Sequence, residues 1–458
     1  MASLPALPPE LIYEIFDYLQ PCKPVYDTDY RQQNHLASYP SLAALTRTCR
    51  ALHPIATRVL YKGYHAPLEQ PIIPFIRRLK THPDACGDLR HLNIQAEMPG
   101  WDPCNRRPEA EIMADVLQDS VLSQPCYHDL TTESLSGNEL ALLVSRASKL
   151  ETLSVFNGGI YHDGGEDMQS VCQSLWFRLV VDAACTTTAT PGRQITLNRL
   201  RTLEIILGTV SSGDLEPLFG LPCLRRLCLI GHIYRHREED DISIQWAAPP
   251  SSSTVQDLDL VLDHAPAALV GHMIGTCKSL SRFGCYRAGY DEDDIGLWLT
   301  TIVDNLEKHV TSLADLSLPI LPGGENQKRV EGLNHFNHLK SLTIPLEVLA
   351  GTPLTSMVPD DRLDLHDLLP QRLEELCLNI NTVSAAGPKY ANAILSLVEQ
   401  SLGSDTPLRK LKVKNVNRLQ DFKESALPLA FWTAEKQCKQ HDFDFEYSIA
   451  LDWFIGTF

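Results

Sequence analysis

The feature that most constrains this chain is a short pattern that keeps returning: apolar, two residues, apolar, one residue, apolar. It occurs as LRHLNI from Leu89, LETLSV from Leu150, LRTLEI from Leu200, LRRLCL from Leu224 and VQDLDL from Val255. It continues as LSRFGC from Leu280, LADLSL from Leu313, LKSLTI from Leu339, LEELCL from Leu373 and LRKLKV from Leu408. The last two apolar positions of each copy flank a single outward residue, which is the period-two signature of a short strand with one buried face. Successive copies are 24 to 61 residues apart. That spacing leaves room for a helix between strands, and helical apolar periodicity appears at 110–122, 138–147, 168–181, 267–277, 295–309 and 390–402. A single strand and helix cannot bury its own apolar face, but a row of them can.

This repeat resembles an irregular leucine-rich-repeat solenoid of the kind found behind fungal F-boxes, in which short parallel strands line one side and helices the other. An α/β fold with a doubly wound sheet is the competing architecture, and it wants longer, more continuously apolar strands. The expected fold class is therefore α/β, built mainly of stacked strand–helix units. Segments rich in Gly, Pro, Ser or charge at 99–108, 157–167, 186–192, 235–254 and 353–361 read as protruding loops. The stretch from His441, HDFDFEYSIALDWFIGTF, reads as a terminal cap on the last repeat or as a partner-binding tail.

The first sixty residues follow a different rule. LPPELIYEIFDYL places Leu11, Ile12, Ile15, Phe16 and Leu19 at helical spacing behind Pro8 and Pro9, which suit a first helical turn. Ser41 reads as the N-cap of a second helix carrying Leu42, Leu45, Cys49 and Leu52, and Pro54 as the start of a third with Ile55, Val59 and Leu60. Three short helices bury little surface on their own, so such a unit wants a partner. The stretch resembles the F-box, the motif that docks substrate receptors onto the Skp adaptor of SCF ubiquitin ligases. Leu7-Pro8, Glu10-Leu11, Ile15, Leu19, Leu45, Cys49-Arg50, Leu52 and Ile55-Ala56 carry the resemblance. Leu52 stands where the family often has Trp, and 20–40 is a longer insert than most members carry. The expected organisation is an F-box at 1–62 with an inserted loop near 20–40, a linking helix at 63–88, and an irregular leucine-rich-repeat domain with a C-terminal cap at 89–458.

Composition narrows the function classes. A formal charge of −17 opposes nucleic acid as a principal partner, because phosphate binding relies on Lys and Arg displacing counterions. No apolar run reaches membrane-spanning length and the first ten residues lack a secretory pattern, so a cytoplasmic or nuclear location is expected. The thirteen cysteines are scattered without a C-x-x-C pair, as reduced thiols are, and sit in apolar contexts at Cys228, Cys285 and Cys377. Nucleotide-loop, nucleophile-elbow and zinc-protease motifs do not occur. Acidic runs at 163–167, 238–241 and 291–294 lack calcium-loop spacing, and His264, His272 and Cys277 read as separate side chains and not as a metal site. No catalytic residue, metal or cofactor is assigned.

The resemblance implies a non-catalytic substrate-recognition subunit of an SCF-type ubiquitin ligase. The adaptor-binding residues would be Leu7, Pro8, Leu11, Ile15, Leu19, Leu45, Cys49 and Leu52, with the cullin–RING ligase reached through the Skp adaptor. The target protein would meet the strand positions that alternate with the buried leucines, and Phe156, Arg226, Asp259, Arg282, Tyr286 and Lys412 are the candidates, since aromatic residues and Arg dominate binding hot spots. The basic strand 410–414 makes a phosphate contact conceivable. Two alternatives remain: a leucine-rich-repeat scaffold with no ligase role, and an α/β enzyme with a loop-borne active site.

Overall fold

The structure is a computed structural model. It describes residues 7–17, 38–66, 73–81, 87–96, 138–157, 174–185, 197–233, 244, 246–286, 295–318, 330–350, 365–380, 388–403, 407–415, 427–441 and 443–449. The chain divides into two compact units, Met1–Thr209 with Gly220–Arg225, and Val210–Phe219 with Arg226–Phe458. The fold is α/β with parallel strands.

The first unit opens with three helices, α1 (Pro9–Asp17), α2 (Ser38–Thr48) and α3 (His53–Lys62). The helix α3 has Pro in its first turn and runs directly into β1 (Gly63–Ala66). There follow α4 (Ile73–Thr81), β2 (His91–Ala96), α5 (Asn138–Arg146), β3 (Thr152–Asn157), α6 (Leu175–Cys185) and β4 (Thr202–Val210). The strands β1 to β4 pair in chain order, all parallel. Their register aligns the repeat with itself: Leu92 lies beside Leu153, and Leu153 beside Leu203.

The second unit repeats the scheme with β5 (Arg226–Ile233), β6 (Asp257–Asp263), α7 (Ala267–Thr276), β7 (Arg282–Tyr286), α8 (Ile295–Leu306), β8 (Asp315–Ser317), β9 (Ser341–Pro345), β10 (Glu375–Ile380), α9 (Pro388–Gly403), β11 (Lys410–Asn415), α10 (Leu427–Cys438) and β12 (Asp444–Ile449). Each strand pairs in parallel with the next in the chain. A doubly wound sheet would need a reversal of strand order; this order is solenoid-like. The aligned residues Leu227, Leu258, Phe283, Leu316, Leu342, Leu376 and Leu411 form one continuous row, each at most 1% exposed.

Small devices hold neighbouring repeats together. The first leucine of the pattern closes a turn before its strand, with the N–H of Leu150 donating to the Ala147 carbonyl at 3.0 Å, Leu200 to Leu197 at 3.0 Å and Leu339 to Phe336 at 3.0 Å. Helices α7 and α8 approach closely at Gly271, where a Cβ would stand 2.7 Å from Asn305 Nδ2. The buried His309 accepts the Leu280 N–H on Nδ1 at 3.3 Å and faces the Ile274 carbonyl through Nε2 at 3.2 Å. Both contacts together require the neutral ring with its proton on Nε2.

All ten strands expected from the pattern are present. The expected helices at 138–147, 267–277, 295–309 and 390–402 are found within a few residues, the third ending in a 3₁₀ turn at Glu307–His309. The helix expected at 168–181 is described as Leu175–Cys185, and the one at 110–122 lies outside the described residues. Two readings need correction. Ser41 sits inside α2, which starts at Ser38, so it is not the cap. The strand β1 precedes the linking helix, where no copy of the pattern announced it. Within the stretch read as a terminal cap or partner-binding tail, 444–449 form the strand β12, parallel to β11. Among the described residues, no helix is long and apolar enough to cross a membrane.

Candidate functional site

The N-terminal helices form a small core of Ile12, Phe16, Leu42, Leu52, Ile55, Ala56 and Val59. Its geometry splits the apolar stripe of α1. Ile12 and Phe16 turn inward at 3% and 1% exposure, while Leu11 and Ile15, one turn apart, stand outward at 46% and 41%. Only Trp432 and Tyr447 join them as exposed large apolar side chains among the described residues. Leu7, Leu45 and Cys49 pack half-buried against the core, and Pro8 is exposed. Leu52, expected among the docking residues, is 4% exposed and lies in the core, where it supports the surface from beneath. Leu19 lies outside the described residues.

These helices are tied to the strands of their unit. Beyond the direct α3-to-β1 passage, Arg58 Nε donates to Asp88 at 2.9 Å, and Lys149 Nζ reaches the other Asp88 oxygen at 3.1 Å. Burial pushes the Asp88 carboxyl up, but the hydrogen bonds from Arg58 and Lys149 outweigh it and hold it below its ordinary value. Arg58 also lies over the Tyr13 ring, 5.7 Å from its centre. A cavity of about 240 Å³ lined by Tyr13, Arg58, Val59, Lys62, Asp88 and Arg90 sits at this junction.

The second candidate surface is the strand face opposite the leucine rows. Four expected target-binding residues come together in the second unit, on β5, β6 and β7. Asp259 lies 3.7 Å from Arg226 and 3.8 Å from Arg282, and Arg282 is 3.7 Å from Asp315. Tyr286 and Ser317 share a 2.9 Å hydrogen bond. Asp259 is 8% exposed, and that burial raises its carboxyl above the ordinary value, against the pull of Arg282 and Arg226. Its room comes from Gly284: a Cβ there would stand 2.4 Å from Asp259 Oδ1. Lys412 sits apart on β11, paired at 3.3 Å with Glu446 of β12. Phe156 holds a register position beside Gln95 on β3, and its side chain lies outside the described residues.

Sequence reasoning missed Asp315, Gly284 and Ser317, which complete the cluster. Register is the signal that finds them, since Arg282 pairs with Asp315 and Gly284 with Ser317. Alternation also does not tell which outward positions are covered. In the first unit Asn93, Ser154 and Glu204 form a buried polar row, in which Ser154 Oγ donates to Glu204 at 2.8 Å.

No group of three His, Cys, Asp or Glu residues able to hold a metal occurs among the described residues. His264 takes a left-handed turn conformation at φ 58°, His272 stacks on Trp246, and the buried Cys277 thiol donates to the Met273 carbonyl at 3.3 Å. Burial pushes that thiol up to about 12, so it is unreactive near neutrality. The three acidic runs lie outside the described residues. Compared with protein-family models and with curated proteins, the sequence finds no match in either.

Proposed function

We propose that this chain is the substrate-recognition subunit of an SCF-type ubiquitin ligase. In this reading the N-terminal helices are an F-box that binds the Skp adaptor, and the strand face of a leucine-rich-repeat solenoid binds a target protein. The observation that carries it is the divided stripe of α1. Ile12 and Phe16 complete the module's core, and Leu11 and Ile15 remain as an apolar pair facing outward. Covering them would be worth roughly 1 kcal/mol or more each, given about 25 cal/mol per Å² of apolar surface removed from water. Pro8, Leu7, Leu45 and Cys49 would widen the contact, while the core residue Leu52 would fix the helix that presents it.

The chain then performs no bond chemistry. A cullin, its RING partner and a conjugating enzyme, recruited through the adaptor, would supply ubiquitin transfer. The junction of α3, β1 and the Arg58–Asp88–Lys149 contacts supports a positioning role, because it attaches the docking helices to the strands of their unit without a free linker. Holding a target beside the transfer machinery raises its effective concentration there. A cytoplasmic or nuclear location belongs to the same reading.

Co-purification of tagged chain with the Skp adaptor tests it, comparing wild type with the Leu11→Asp, Ile15→Asp double variant. Wild type retains adaptor and the variant does not, since two carboxylates in an apolar interface cost several kcal/mol. Failure of the wild type to retain adaptor leaves a repeat scaffold without a ligase role.

A further inference from the structure

Within the second unit, the outward face of β5 to β8 carries two arginines, Arg226 and Arg282, and four aspartates, Asp257, Asp259, Asp315 and Asp263, the last paired at 3.0 Å with His232. Arg282 and Asp259 stand side by side on neighbouring strands. The Arg282 side chain is 43% exposed, and its contacts with Asp259 and Asp315 at 3.8 and 3.7 Å are ionic, beyond hydrogen-bond reach. Neither the Arg282 guanidinium nor the Asp259 carboxylate makes a hydrogen bond among the described residues, although Asp259 is nearly buried. A planar fork of donors beside a free acceptor matches a peptide unit, whose carbonyl accepts and whose N–H donates. A nearly buried carboxylate such as Asp259 gains from such a partner.

The two flanks differ in charge. Around Arg282, three carboxylates outnumber two guanidinium groups. On β11, Lys410 is engaged by Asp444 and Glu446, and Lys412 by Glu446. Lys414 is exposed, has no ion pair among the described residues, and lies in register between the uncharged Asn379 and Ser448. One flank therefore favours a cation and the other an anion. The strands β7 and β11 are four steps apart, roughly 19 Å at about 4.8 Å per step, a distance that about six residues of extended chain would cover.

We propose, on the premise that this face binds the target, that it takes an extended peptide segment bearing a basic and an acidic side chain about five to eight residues apart. The basic side chain lies over Asp257 and Asp315, the Arg282–Asp259 pair holds the main chain at that same end, and the acidic side chain meets Lys414. Polarity thus comes from the two charged ends, and adhesion to any sequence from the Arg282–Asp259 pair.

The test is selection of a displayed random peptide library of about twelve residues on the full-length chain, with Lys414→Glu and Asp315→Arg selected in parallel. Wild type enriches peptides with the two charges at that spacing and in one constant order. Lys414→Glu exchanges the acidic residue for a basic one, Asp315→Arg makes the reciprocal exchange, and each weakens the wild-type peptide about tenfold or more. Absence of enrichment, charges without fixed spacing, or variants that select the wild-type set overturn the proposal. So does a dimer in sedimentation that Lys414→Glu dissolves, which would assign the face to a second copy. Adaptor capture on the same preparations separates the two readings: a chain that binds adaptor but selects no such peptides keeps its ligase role and loses this ligand class.

Discussion

The N-terminal helices and the strand rows of the second unit treat apolar side chains in opposite ways. Along β5 to β11 the aligned Leu and Phe positions are sealed, and those on β6 to β10 lie between the same position of the repeat before and the repeat after. Among the described residues, the helix α1 has no such neighbour on its outer side, and Leu11 and Ile15 stand exposed. The difference teaches where each region's stability comes from. A repeat is completed from within the chain; the helical module stays open to completion from outside it.

Phe283→Ala, in the middle of the sealed row, should cost about 3–5 kcal/mol and lower the thermal midpoint sharply. Leu11→Ala should change the melting of the isolated chain little, by less than about 1 kcal/mol, because surface truncations away from special features are nearly neutral. Equal effects from the two would remove the distinction. Gly284→Ala comes next, at about 1–3 kcal/mol, since its Cβ must displace the Asp259 carboxylate. Denaturant melts should show that Asp259→Ala made alongside it recovers part of the loss.

The pH dependence of the second unit should carry a mark of His309. Burial, helped by Lys308, holds its pKa below the ordinary 6.5, against the hydrogen bond to the Ile274 carbonyl. The unfolded chain then binds the proton first as pH falls, so this contribution is fully present above about 6.5 and is lost progressively below it. Melts of wild type at pH 5.5 and 7.5 should differ more than those of His309→Leu. The smallest effect belongs to Arg58→Ala, at about 1 kcal/mol or less, because the Arg58 side chain is more than half exposed. Its more informative readout is looser hydrogen exchange at the α3–β1 junction.

How far the sequence carries is uneven for identifiable reasons. The ten patterned strands were legible because period-two burial is a local property, readable from Leu92 and Ile94 or from Leu376 and Leu378 alone. The strand β1, GYHA, has no such period, and only its pairing with β2 makes it a strand. Residues 443–449 show the alternation Phe443, Phe445, Tyr447, yet whether that ends a solenoid or extends it depends on β11 lying alongside. The stripe of α1 was legible as apolar, but its division into a core edge at Ile12 and Phe16 and an open edge at Leu11 and Ile15 depends on where α2 and α3 sit. Outward positions posed the same difficulty. Alternation tells which residues leave the leucine core, not whether something covers them, so Asp259 reads as surface and is buried.

The central claim is that the open edge of α1 is where a partner completes the module. Hydrogen–deuterium exchange of the full chain, with and without the Skp adaptor, tests it most directly. The account predicts new protection centred on 9–17 and 41–52, absent in the Leu11→Asp, Ile15→Asp variant, with the strands of the second unit unchanged. Unaltered exchange across those helices in the presence of saturating adaptor would contradict it.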